Sequence, residues 1–136
     1  MRRILISAAL AAAPLLASAG ALDNAAFTVR STEDLVNLCS AKDGDALYPD
    51  ANLFCLGYIA GTAHYHRELT KGPKIKPIFC PTQQVTRSEA VTIFLDWAKR
   101  NPQSMSLPAT EGLLRAGADK FPCPKAEPVK AKAKSK

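Results

Sequence analysis

The stretch Ala51–Leu69 reads ANLFCLGYIAGTAHYHREL. Phe54, Tyr58, Tyr65 and Leu69 recur on one side of a 3.6-residue period, and Leu56, Ile59, Ala60 and Ala63 on another. No charged side chain interrupts it before Arg67. Asp50 or Asn52 can serve as the N-cap. The spacing predicts a helix that is apolar nearly all round, one that lies centrally in its domain or packs against a partner. Gly57 and Gly61 stand four apart within it. Each costs roughly 1 kcal/mol against Ala in a helix interior. The pair therefore reads equally well as tolerated glycines or as a close approach by a neighbouring backbone.

The same period yields three more helices on either side. Thr32–Cys39 places Leu35, Leu38 and Cys39 on one face, and Ser31 with Asp34 forms a capping-box pattern before it. Ser40–Asp50 carries Gly44, Pro49 and four charges and reads as a loop. A third helix starts at Thr86, with Glu89 completing a Thr-x-x-Glu box. Val91, Phe94, Leu95 and Ala98 share a stripe, with Ile93 and Trp97 beside it. Lys99 and Arg100 suit its C-terminal dipole, and Asn101-Pro102 ends it. A fourth begins near Leu107 with Pro108 in its first turn and continues through Leu113, Leu114, Gly117 and Ala118. No useful period-two alternation occurs. The chain reads as an all-α bundle of about four helices.

Its four cysteines are Cys39, Cys55, Cys80 and Cys123. The N-terminus, Met1-Arg2-Arg3 followed by an apolar run from Ile4 to Ala17, has the pattern of an export signal. Residues 1–19 are expected to be removed after Ala19, with Ala21 as the second choice. An even cysteine count in an exported chain implies two disulfides. Three pairings are possible. In an up-and-down bundle Cys39 and Cys55 share one end and Cys80 and Cys123 the other, which favours Cys39–Cys55 and Cys80–Cys123. Cys39–Cys123 with Cys55–Cys80 stays open if the first helix crosses the others at an angle.

The formal charge of +6 is misleading. Arg2 and Arg3 lie in the signal. The Lys/Ala/Pro tail, 124–136, holds five lysines against Glu127, and its composition reads as disordered. Between residues 20 and 123 stand 11 basic and 11 acidic side chains, so the body has no bias towards nucleic acid. No segment outside the signal is apolar enough to cross a membrane.

Catalytic and metal motifs are equally scarce. His64 and Glu68 have the i, i+4 spacing of a helical zinc pair, but His64 and His66 do not, and nothing marks a third ligand. No Cys-x-x-Cys is present, and Asp43, Asp45 and Asp50 lack the terminal glutamate of a calcium loop. The chain reads as a non-enzyme without cofactor or metal.

Leu35-Val36-Asn37-Leu38-Cys39, Phe54-Cys55-Leu56-Gly57-Tyr58-Ile59-Ala60-Gly61, Phe79-Cys80-Pro81, Asn101-Pro102 and Phe121-Pro122-Cys123 occur in that order. Over residues 28–123 this order resembles the Rap/Tai family of periplasmic immunity proteins associated with type VI secretion. The resemblance implies an all-α, disulfide-bonded homodimer in the periplasm. It also implies a partner, a secreted cell-wall amidase effector whose active site is blocked. The basic, proline-rich Lys71–Pro81 loop and the lysine tail depart from the family pattern. Loops on a stapled bundle suit the plugging of a cleft, so the candidate contact residues are Lys71, Lys74, Lys76, Asn101 and Ser104. The alternative is a small periplasmic helical chaperone or stress protein.

Overall fold

The computed structural model describes residues 22–124. The proposed signal, residues 1–19, and the tail from Lys125 onward lie outside the described residues. Within them the chain forms four α-helices, α1 (Thr32–Cys39), α2 (Tyr48–Leu69), α3 (Arg87–Arg100) and α4 (Ala109–Lys120). Two 3-10 turns, Asn24–Phe27 and Pro102–Ser104, supplement them. There is no strand among the described residues; one isolated bridge joins Ser31 to Pro108.

Both expected capping boxes form. Ser31 Oγ accepts from the Asp34 N–H, while the Asp34 carboxylate accepts from the Ser31 and Arg30 N–H groups at 2.9 and 3.0 Å. Those two backbone donors hold Asp34 below the usual carboxylate range. Thr86 and Glu89 make the same exchange at the start of α3.

Two boundaries differ from expectation. Helix α2 begins at Tyr48, not Ala51, with Pro49 in its first turn and no side-chain cap. Asp50 lies inside that turn and does not cap it. Proline at an early helical position surrenders only an N–H that has no intrahelical partner, so the loop ends sooner than its composition implied. Helix α4 begins one residue after Pro108, which sits at the N-cap position.

Leu35, Phe94, Trp97, Ala98, Ala109, Leu113 and Ala116 form the core with Cys55 and Ile59. Helix α2 contributes only a narrow stripe to it, Ala51, Cys55, Ile59 and His66. The expected central helix is therefore half open: Leu53 and Tyr65 on its other side are 68% and 67% exposed. Gly57 and Gly61 face open space, with nothing within 4 Å of a side-chain carbon at either. The close backbone approach that their spacing suggested does not come from the described residues of this chain.

The N-termini of α1 and α4 are knitted together. Thr32 N–H donates to Leu107 O at 2.7 Å, Glu33 N–H to Met105 O at 3.0 Å, and Ala109 N–H to Arg30 O at 3.2 Å. The buried Thr32 hydroxyl donates to Leu107 O at 3.1 Å. Gly112 packs against that Thr32 side chain so closely that a Cβ would overlap it.

The disulfides are Cys39–Cys55 and Cys80–Cys123, with Cα separations of 5.2 and 4.8 Å. By loop-closure entropy each contributes roughly 3–4 kcal/mol. The up-and-down premise is not met throughout. Arg100 and Asp119, in the last turns of α3 and α4, form an ion pair at 3.0 Å. In a simple antiparallel pair joined by the short Asn101–Pro108 connection, those two ends would lie apart.

Candidate partner-binding surface

The connection from α2 to α3 runs through Thr70–Thr86, and every residue from Lys71 to Ile78 is exposed. It carries Lys71, Lys74 and Lys76 together with Ile75 and Ile78, each isoleucine 49% exposed. Gly72, Pro73, Pro77 and Pro81 keep it out of any helix.

Exposed as it is, the segment is tied down at both ends. At its start, the Thr70 hydroxyl donates to His66 O at 2.9 Å, and Lys71 Nζ meets Glu68 at 2.6 Å. At its end, Cys80 is bonded to Cys123, and its N–H donates to Phe121 O at 2.8 Å. Between them His66 acts as a post. Its Nε2 accepts from the Ile78 N–H at 2.9 Å, and its ring stacks on Phe79 with centroids 4.1 Å apart. Burial pushes the imidazole below its usual pKa, so the neutral ring that can accept this bond is favoured.

The two histidines of α2 thus part company. His64 is exposed, as its place towards the end of the helix suggested, but His66 is buried. The signal was present in the spacing: Ala51, Cys55, Ile59 and His66 follow one another at 4, 4 and 7 residues along a single face. Glu68 is engaged by Lys71, which also lowers its pKa. No group of three or more His, Cys, Asp or Glu side chains suited to a metal exists among the described residues.

Asn101 and Ser104 lie elsewhere. The Lys71–Pro81 loop leads to the N-terminal end of α3, and Asn101 leaves its C-terminal end, roughly 20 Å away at 1.5 Å per residue. Asn101 is half-buried, and its side chain donates to Trp97 O at 2.8 Å, closing α3. Ser104 is buried, and its N–H donates to Asn101 O. The three lysines share the exposed segment, whereas Asn101 closes α3 and Ser104 is buried in the following connection.

Behind the loop lies a groove of about 550 Å³ between α2, Thr70–Thr86, α3 and α4. Ile59, Phe94 and Leu113 form part of its floor, and Arg67 and Arg87 line it. Neither arginine stood out in the sequence, because they are 20 positions apart and belong to different helices.

These features define a small, disulfide-stapled helical domain that presents one basic, anchored loop. The family model for Rap1a immunity proteins matches residues 31–123. The chain belongs to that family. Neither the curated proteins nor the solved structures contain a match.

Proposed function

We propose that this chain is a periplasmic immunity protein that neutralises a type VI secretion peptidoglycan amidase effector by seating the Lys71–Pro81 loop in its catalytic cleft. The observation that carries the reading is the loop itself. It is exposed from Lys71 to Ile78, yet held by His66 and by Cys80–Cys123. A segment anchored in this way loses little conformational entropy on binding. Its lysines would meet an acidic rim, and Ile75 and Ile78 would enter the cleft. Asn101 and Ser104 enter the reading as residues that set the course of the second connection, Asn101–Pro108. An export signal cut after Ala19 would deliver the chain to the compartment where both disulfides form.

The homodimer would form through the outer face of α2. Leu53, Gly57, Gly61 and Tyr65 lie at four-residue steps along one ridge. In an antiparallel pair, Leu53 of one copy faces Tyr65 of the other, and the glycines lie at the crossing, the self-complementary relation a two-fold axis requires.

The decisive experiment mixes the purified chain with the type VI amidase effector of the producing cell and measures cleavage of cell wall. Stoichiometric inhibition is the expected result. Full cleavage at a molar excess of the chain would sink the reading.

A further inference from the structure

We infer that the groove between α2, Thr70–Thr86, α3 and α4 binds a small amphipathic carboxylate, an acyl chain with an anionic head, as a function separate from effector neutralisation. Its volume of about 550 Å³ lies within the roughly 300–1,000 Å³ of small-molecule sites. The interior is set by Ile59, Ile93, Phe94, Leu113 and Leu114, which can receive a hydrocarbon chain but offer a head group nothing.

Charge decides the head. No Asp or Glu lines the groove, whereas Arg67 and Arg87 do. The body of the chain is formally neutral, so this is a local placement and not the overflow of a basic protein. Arg87 has no acidic partner within ion-pair distance among the described residues, and Arg67 meets only its neighbour Glu68, at 3.8 Å. Nearby carboxylates are occupied elsewhere: Glu68 by Lys71, and Glu89 by the Thr86 cap. His66 also lines the groove, but its Nε2 is committed to Ile78. Two exposed guanidinium groups beside an apolar interior suit a carboxylate attached to a chain, because Arg binds carboxylates through paired N–H donors.

The test is calorimetric titration of the full chain, expressed into an oxidising compartment, with octanoate, decanoate and dodecanoate below their micellar concentrations. Saturable one-to-one binding is expected, tightening about fourfold per added methylene. Arg67→Gln and Arg87→Gln should each weaken it roughly three- to tenfold. Octyl glucoside, which is neutral, should bind more weakly and ignore both substitutions. Methyl NMR should show perturbation at Ile93 and Leu114. Ala63→Phe, which fills the groove, should abolish binding while leaving the circular dichroism unchanged. Three results would overturn the proposal: no saturable binding, equal affinity in the double arginine variant, or perturbation centred on Leu53 and Ile75. Failure of these titrations would leave the amidase-inhibition result untouched.

Discussion

His66 Nε2 accepts the Ile78 N–H at 2.9 Å, so a residue on α2 holds the backbone of the loop 12 positions further on. An imidazolium has no acceptor, and this bond therefore exists only while the ring is neutral. The folded pKa of His66 is lowered, with burial as the cause. The unfolded chain then binds the proton at higher pH than the folded one. The stabilisation is complete above the unfolded value of about 6.5 and is lost as pH falls through the folded value. Urea midpoints should fall between pH 7 and pH 5, and His66→Gln should flatten that dependence. The carboxylates with lowered pKa values, Asp34, Glu68 and Glu89, act at more acidic pH. An unchanged midpoint across that window would contradict this role for His66.

Replacing Cys80 and Cys123 together with Ser removes the staple at the end of the loop. The loss expected is about 3–4 kcal/mol from the 43-residue separation. Amide exchange in Lys71–Pro81 should rise more than exchange in α1. Equal acceleration throughout would mean that the bond stabilises the fold without anchoring the loop.

Gly112 faces the buried Thr32 side chain, which has no room to retreat because its hydroxyl is committed to Leu107 O. Gly112→Ala should destabilise by about 1–3 kcal/mol through overpacking, despite the better helix propensity of Ala. Gly57→Ala and Gly61→Ala, with open space at both, should leave the monomer's stability unchanged or raise it. Thermal melts distinguish the two outcomes.

The same glycines test the dimer. Gly61→Arg places a charge where the two α2 ridges would cross, and sedimentation should show a monomer with an unaltered helical spectrum. If Gly61→Arg sediments like the unaltered chain, the α2 interface is wrong.

Charge reversal on the loop, Lys74→Glu with Lys76→Glu, should weaken amidase inhibition by ten- to a hundredfold without changing the melting temperature. Both residues are exposed, and neither takes part in a salt bridge among the described residues. The substitutions should act mainly on association rate and its salt dependence.

Sequence alone settled much of this protein. Its helices and both capping boxes follow from local rules, because apolar periodicity and a side chain three residues from its cap are properties of short segments. The cysteine positions favoured the pairing that forms and left a second one open. Tertiary structure decided what depends on distant neighbours. It buried His66 and left His64 exposed, although the two are separated by one residue. It opened the α2 face, where composition alone could not separate a central helix from one awaiting a partner. It also withdrew Ser104 from the surface and brought Arg67 and Arg87 to a single groove. Those outcomes depend on how four helices cross, and the Arg100–Asp119 pair shows that the crossing is not the simple antiparallel one.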